Sequence, residues 1–581
     1  MRYAGCVSSY PRDNPLPRIG PVSTLTTTSH RIPALIAIAT IIAGAVLGTF
    51  EIANTSIGWH LASGRWILDH GAFLRADPFS FTSAGTLWID HEWLFQVGLA
   101  AVQSAGGAAA LGVVRMLTVV ALALLLFVIS VRSGLSPAAA LLLSILCVAG
   151  ARPRFFLRPE LVTLLVVPLI VWLFLTRGER RSQFWLIPFA ALMILGANAH
   201  GGVLVVPLLL AGVFAAETVQ SLITRQINRP VIASGIAGIT TAVLALLVNP
   251  YGWRLLLAPF RLAHLIDQPY IPNPEWISPT FAQTPVLYLV IAAGLVLLML
   301  RERRADRWIL FVMAAALALR HIRNVGLFFV LLPLAIAPAL ATWRALATSG
   351  DDRDAEQPRT NLLAAVAAIL LSVSIAAAPW PRFGFGFAEE YFPTRACSFL
   401  DAEGLPGARL YNDVRFGGYL IDRYFPPRQV FQDDRNEIHE TLLREIWEIF
   451  ETSDVARWSA LLARWNIDAA LVRYHPPISV TNPDGDDLGE RGFSALWFPD
   501  RTWALVYWDE IAMVLVRRGT VSDEFLERHE YRVIRPDDLY HLRQRLTADQ
   551  PLRLEAADEL ARALDQAPAG WRAHEISALL R

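Results

Sequence analysis

Residues 51–94 carry the densest chemistry in the chain. The stretch EIANTSIGWHLASGRWILDHGAFLRADPFSFTSAGTLWIDHEWL opens on Glu51 and closes on Asp90, His91 and Glu92. Acids at opposite ends of a loop converge if the loop folds back on itself. Converged carboxylates can accept a proton from a nucleophile as a general base, or hold a divalent metal such as magnesium or manganese through oxygen ligands. Glu51, Asp90 and Glu92 are therefore the candidate catalytic residues. On spacing alone, solvated interfacial charge with tryptophan anchors explains the same pattern.

Arginines supply the complementary half. Arg152, Arg154 and Arg158 lie in ARPRFFLRP (151–159), and Arg320, His321 and Arg323 in RHIRN (320–324). A guanidinium fork suits a phosphate or diphosphate and stays charged when partly desolvated. Arginines that snorkel to lipid headgroups are the competing reading. His60, His91, His200 and His321 come from separate loops without HExxH spacing, so no zinc site is read from them. Asn198 and His200 of NAHGG (198–202) also read as a polar helix end before a tight turn. Glu275 beside Trp276 could orient a sugar by stacking and a carboxylate hydrogen bond, although an interfacial anchor explains Trp276 equally well. The candidate substrate-binding set is His60, His91, Arg152, Arg154, Arg158, Asn198, His200, Glu275, Arg320 and Arg323.

The elements that must position these residues follow from hydropathy. Of 581 residues, 54% are apolar, and the long apolar runs all lie between Ile32 and Ala378. Runs of spanning length read as membrane helices, near 32–50, 108–131, 137–151, 159–176, 184–197, 202–222, 230–248, 283–300, 308–319, 325–343 and 361–378. A helical bundle of about eleven spans (32–378) thus follows a basic tail, 1–31, and contains a large first loop, 51–107. The first run is too long, and lacks the cleavage site, for a signal peptide.

EWLFQVGLAAVQSAGG (92–107) could cross the membrane or lie at its surface. If it lies flat, the arginine-rich loops RGERRSQ (177–183), TRQINRP (224–230) and RERRADR (301–307) share the side of the basic tail, as cytoplasmic loops do. The expected topology therefore has a cytoplasmic N-terminus and an extracytoplasmic C-terminal domain. All the chemically loaded loops then gather on the outer face, beneath that domain.

From 379 to 520 the chain reads as a soluble α/β domain that folds independently. Strands are expected at 408–412, 429–433, 468–474, 503–509 and 512–518, helices at 436–451 and 454–465. Gly417–Gly418 reads as a loop or helix start. No GxGxxG or GxxxxGK[ST] phosphate cradle is present, so no nucleotide is expected. Residues 521–581 read as a charged helical tail. The net charge is zero, which gives no field for nucleic acid. All 51 basic residues are arginine, so lysine Schiff-base chemistry is excluded. Cys6, Cys147 and Cys397 are too scattered for a disulfide framework or a zinc site.

The pattern GWHLASGRWILDHG…DPFSFTSAG…WIDHEWL resembles the first periplasmic loop of bacterial polytopic proteins of the GT-C superfamily of membrane glycosyltransferases, akin to protein mannosyltransferases. NAHGG, NPYG (249–252), EWISP, RHIRN, RLYNDVRFGGYLI (409–421) and VFQDDR (430–435) extend the resemblance to about residue 520. It implies a transferase of the bacterial inner membrane using a polyprenyl-phosphate-linked sugar, with a first-loop acid acting on the acceptor or binding metal. Where the family pattern has an aspartate–x–aspartate pair before the tryptophan–histidine step, this chain has Asn54 to Gly58, and Glu51 is the acid nearby. A carrier of lipid-linked substrates and a non-catalytic assembly protein are the alternatives. The absence of paired repeats and the placement of the loaded positions at helix ends favour transfer.

Overall fold

Each apolar run folds as a helix. The computed structural model describes residues 33–179, 182–271, 274–347, 353–378, 381–405, 409–481, 487–548, 550–567 and 570–581. The basic tail with Cys6, residues 180–181 of the first arginine-rich loop and the 379–380 start of the C-terminal domain lie outside the described residues. The bundle comprises α1 (Ala34–Gly48), α2 (Ile57–His70), α3 (Trp93–Arg132), α4 (Pro137–Ala151), α5 (Glu160–Leu175), α6 (Leu186–Ala199), α7 (Val206–Ile223), α8 (Arg229–Ala245), α9 (Ala258–Ile266), α10 (Pro285–Arg301), α11 (Ala305–Arg320), α12 (Val325–Ala347) and α13 (Arg353–Ala376). Each of the eleven expected apolar runs falls on one of these helices; α2 and the short α9 are additional. Among the described residues, five helical stretches are long and apolar enough to cross a membrane, at 93–132, 137–154, 201–223, 322–343 and 358–376, and five shorter apolar helices accompany them. The chain reads as a multi-pass membrane protein.

Helix α3 has 40 residues, about 60 Å at 1.5 Å per residue, twice the hydrocarbon thickness of about 30 Å. It is two helices. Gly106 (φ −159°, ψ 20°) and Gly107 (φ 62°, ψ −156°) break it, and Gly107 takes a left-handed conformation that favours glycine. The first part, residues 93–105, is an arm packed on α2. The second packs on α1, where a Cβ on Gly48 would lie 2.9 Å from Val119 Cβ; small residues let these backbones approach.

The arginine-rich loops meet at one end. Arg177 pairs with Glu217, and Gln220 bonds Arg303 O and Ala305 N at 2.8 and 2.9 Å. The chemically loaded loops gather at the other end with the C-terminal domain.

That domain contains α14 (Thr394–Ala402), β1 (Arg409–Asn412), α15 (Val414–Tyr424), α16 (Asn436–Glu451), α17 (Val455–Arg464), β2 (Ile467–Arg473), β3 (Ile478–Thr481), β4 (Asp487–Arg491), α18 (Phe493–Trp497), β5 (Trp503–Trp508), β6 (Ala512–Arg517), α19 (Asp523–His529), α20 (Leu539–Ala548), α21 (Gln550–Gln566) and α22 (Trp571–Leu580). The main sheet runs β1-β2-β6-β5, with β1 and β2 parallel and the other pairs antiparallel. Alternate residues face opposite layers. Ala470, Val472, Met513 and Leu515 join a core with α16, α17, α20, α21 and α22, so most of the expected tail is an integral layer of the domain. Ala469, Leu471, Val514 and Val516 join a core that includes Trp59, Ala62, Leu74, Phe79 and Trp88 of the first loop. The domain's second face is thus completed by the first loop, which the expectation of an independently folding unit left out.

Two local expectations are corrected. Residues 429–433 form no strand; Val430 makes a single bridge with Ser80, because its backbone partners are Phe79 O and Phe81 N of the first loop. Gly417 and Gly418 lie inside α15, where a Cβ would meet Gln432 O or Thr55 O at 2.2 Å.

Candidate active site

Glu92 stands at the N-cap of α3, held by an arm that α2 supports. Its carboxylate lies between two imidazoles: His60 Nδ1, from α2, is 3.8 Å from Oε2, and His91 Nε2 is 3.6 Å from Oε1. Burial and then neighbouring Glu437 raise its pKa to about 8, against the pull of Arg323 and Arg158. Burial and then Arg158, His91 and Arg435 push His60 well below the usual imidazole range, so it is neutral at physiological pH.

The cations facing Glu92 come from two loops. Arg154 binds Glu160 (Nε–Oε2, 2.9 Å) and Glu275 (3.2 Å), and Arg158 binds the other Glu275 oxygen. Burial would raise Glu275, but Arg158 and Arg154 outweigh it and hold it near 2. Arg323 stacks on Trp276, 4.1 Å from the ring centroid, and His321 Nδ1 contacts Trp276 O at 2.5 Å. The stacking orients the guanidinium plane, which makes no side-chain hydrogen bond among the described residues. His200 accepts from Gly202 N at 3.2 Å and meets Thr163 Oγ1 at 2.7 Å. Its turn packs on His91, 3.1 Å from a Cβ built on Gly201.

Opposite Glu92 stands an acid of the C-terminal domain. Asp434 accepts from Thr55 Oγ1 at 2.5 Å and from Trp59 Nε1 at 2.7 Å. Burial raises its pKa against the Thr55 hydrogen bond. Flanking residues hold it there: Arg435 binds Asp433 with two bonds (2.7 and 2.6 Å) and Asp77 of the first loop at 2.9 Å, and His439 joins Asp433 at 3.1 Å and Ser83 Oγ at 3.0 Å. All four groups of this Asp77–Arg435–Asp433–His439 network are buried.

The structure therefore brings together Glu92, His60, His91, Arg154, Arg158, His200, Glu275 and Arg323. Five expected residues stand apart. Asp90 is 1% exposed, with Oδ1 accepting from Gln96 at 2.6 Å; burial and then Glu92 raise it to about 7. Its Oδ2 is buried without a hydrogen-bond partner among the described residues. Glu51 lies against Gly384, its N–H donating to Arg382 O at 2.9 Å. Arg152 lies over Phe50. Arg320 is exposed. Asn198 spends its amide on Ile194 O and Val248 O and accepts from Trp93 Nε1 at 2.9 Å, which steadies the residue next to Glu92. Asp434 and its network are what sequence reading leaves out. The charged run in VFQDDR was their visible signal, but nothing in it indicated a partner some 375 residues earlier.

The resemblance implies a divalent metal. Asp434 is engaged by Thr55 and Trp59, and Asp90 is turned to Gln96. Among the described residues no three His, Cys, Asp or Glu side chains converge as metal ligands. Positive charge reaches Glu92 from arginine.

No protein-family model matches the sequence, and no curated protein matches it. Solved structures do. The oligosaccharyltransferase of Archaeoglobus fulgidus in its apo form superposes with a TM-score of 0.54 at 12% identity, covering 81% of this chain and 79% of that one. The archaeal oligosaccharyltransferase AglB from the same organism, in complex with an inhibitory peptide and a dolichol-phosphate, gives 0.52 at 12% identity over 81% and 79%. The A. fulgidus enzyme with zinc and sulfate gives 0.50 at 12% identity over 82% and 78%. The bundle, the large first loop and the C-terminal sheet domain together make this a chain of the GT-C fold.

Proposed function

We propose that this protein is a GT-C glycosyltransferase of the bacterial inner membrane, transferring a sugar from a polyprenyl-phosphate-linked donor to an extracytoplasmic acceptor at Glu92. The observation that carries the reading is a carboxylate with a pKa raised to about 8 facing Arg158 and Arg323, where the first loop meets the C-terminal domain. The fold it shares with an enzyme solved with a peptide and a dolichol-phosphate supports it.

In this reading Glu92 accepts the proton of the acceptor's nucleophilic group as that group bonds to the anomeric carbon. The bond from that carbon to the lipid phosphate breaks with its electron pair on oxygen. Arg323, which donates no side-chain hydrogen bond among the described residues, and Arg158 stabilise the charge gathering on the departing phosphate. Asp434 hydrogen-bonds the Thr55–Trp59 segment and faces the acceptor side. His60 and His91 keep Glu92 in place.

Glu92→Gln removes the proton acceptor and keeps the shape. It should lower transfer by about 10²- to 10⁴-fold, with normal amounts of membrane-inserted protein. Arg323→Ala should chiefly weaken donor use. Mass analysis of lipid-linked and surface glycans in a deletion strain complemented with each variant reads both, and wild-type glycans with Glu92→Gln would refute the assignment.

A further inference from the structure

A second pair of arginines lies in the bundle at the same end, apart from the Glu92 cleft. Arg115, on the part of α3 beyond the glycine break, is 0% exposed. Its Nε donates to Gly48 O at 3.0 Å, and its guanidinium sits 3.8 Å from the Phe50 ring centroid. Arg152 approaches the same ring to 5.3 Å. Nη1 and Nη2 of Arg115 and Nε and Nη2 of Arg152 are buried without a hydrogen-bond partner among the described residues. Neither arginine has an ion-pair partner there, and the adjacent Glu51 also keeps a buried, unpartnered Oε2.

Buried donors left unmade are costly, more so on a charged group. Two cations against one ring also repel, and cation–π attraction to a phenylalanine is too weak to offset four unpaired nitrogens. An oxyanion lying between the guanidinium groups would resolve both problems, because a tetrahedral phosphate offers acceptors in several directions. Arg115 and Arg152 each lie in a stretch long and apolar enough to span the membrane. The neighbouring turns of α3 present Val113, Val114 and Leu117 outward, 38%, 37% and 55% exposed. A phosphate carried on an alkyl chain would find its chain a path along that apolar face.

We propose that Arg115 and Arg152 form a binding site for the phosphate ester of a lipid headgroup, seated on Phe50 and separate from the Glu92 cleft. The proposal does not depend on the transferase reading.

The test uses the full-length protein, purified in neutral detergent, in an Arg323→Ala background so that the Glu92 cleft contributes little. Decyl phosphate, inorganic phosphate and decanol are titrated, and the melting temperature is followed. Decyl phosphate should stabilise the protein saturably and decanol should not. Arg115→Met and Arg152→Met should each weaken decyl phosphate about tenfold or more, as expected for a lost charge-assisted bond, while Arg320→Met leaves it unchanged. Arg152 is less deeply placed, so Arg152→Met decides if Arg115→Met fails to fold. Equal protection by inorganic phosphate, lost in Arg152→Met, would keep the site and make a free anion its ligand. Protection that survives in Arg152→Met, or no protection by either phosphate, overturns the proposal.

Discussion

Glu92 is in conflict with its surroundings, and that conflict is measurable. With a pKa raised to about 8, it is mostly protonated at pH 7, although a general base must be ionised. Transfer with the free enzyme should therefore rise by about tenfold per unit between pH 6 and 7.5 and level off above 8. An unperturbed carboxylate would give a flat profile over that range, and a flat kcat/KM profile would count against Glu92. Stability should run the other way. A carboxyl whose pKa is higher folded than unfolded holds its proton preferentially in the folded state, so its contribution is present at low pH and is lost as pH rises through 8. Glu92→Gln should raise the melting temperature in detergent more at pH 8.5 than at pH 6. A single residue that lowers stability while promoting transfer is what a functional site leads one to expect. The sequence singled out Glu92 by its DHEW setting, but not its rank over Asp90. Two acids two positions apart differ here because one faces two arginines and the other is sealed against Gln96.

At the scale of elements, helix α2 decides the geometry, and glycines fit it to both neighbours. A Cβ on Gly58 would lie 2.0 Å from Gly418 O of α15, and one on Gly64 would lie 2.1 Å from Gln96 O of the α3 arm. These are backbone atoms, so a methyl group there must displace a helix. His60 and Trp59 ride on α2, and a shift of about 1 Å at catalytic groups can cost on the order of 10²-fold. Gly64→Ala should therefore reduce transfer by at least tenfold in protein that still inserts. Gly98→Ala on the same arm meets nothing within 4 Å and should be neutral or slightly stabilising, since alanine favours helix more than glycine does. Equal losses in the two variants would remove the packing argument. Periodicity shows where the bundle helices run, since apolar runs need only their own residues to be recognised. It does not show α2: IGWHLASGRWILDH mixes polar and apolar residues on a helix buried by two different partners. Nor does it show that Gly417–Gly418 marks a crossing of helices, because a glycine pair in sequence looks the same in a turn.

The whole molecule is joined by contacts between segments hundreds of residues apart. Trp59, Leu74, Phe79 and Trp88 share a core with the C-terminal sheet, and Arg435 reaches across to Asp77 at 2.9 Å. These contacts were not legible, because hydropathy reports which residues want burial and not which distant segment supplies the other half. The arrangement of the ends was legible. The arginine-rich loops do meet at one end and the loaded loops at the other, since charge bias among short loops is a property of sequence alone. Reporter fusions at residue 390 and within 301–307 should consequently report opposite sides of the membrane. The shared core makes a sharper prediction about folding. A fragment of residues 385–581 keeps α14 and α15 on that face of its sheet but loses the first-loop part of the apolar layer around Ala469, Leu471, Val514 and Val516. Removing apolar surface from water is worth roughly 25 cal/mol per Å², so losing these aromatic partners weighs against the small margin of a typical domain, about 5–15 kcal/mol. Arg435 would in addition lose Asp77 while remaining tied to Asp433. The fragment should behave as an aggregating or molten species, while one in which residues 51–91 are joined ahead of 385–581 by a flexible linker should unfold cooperatively. Near-UV circular dichroism and thermal melts distinguish them. Cooperative unfolding of the fragment without the loop would show that the first loop is an addition to a self-sufficient domain, and the coupling of Asp434 to the membrane half would then have to rest on Thr55 and Trp59 alone.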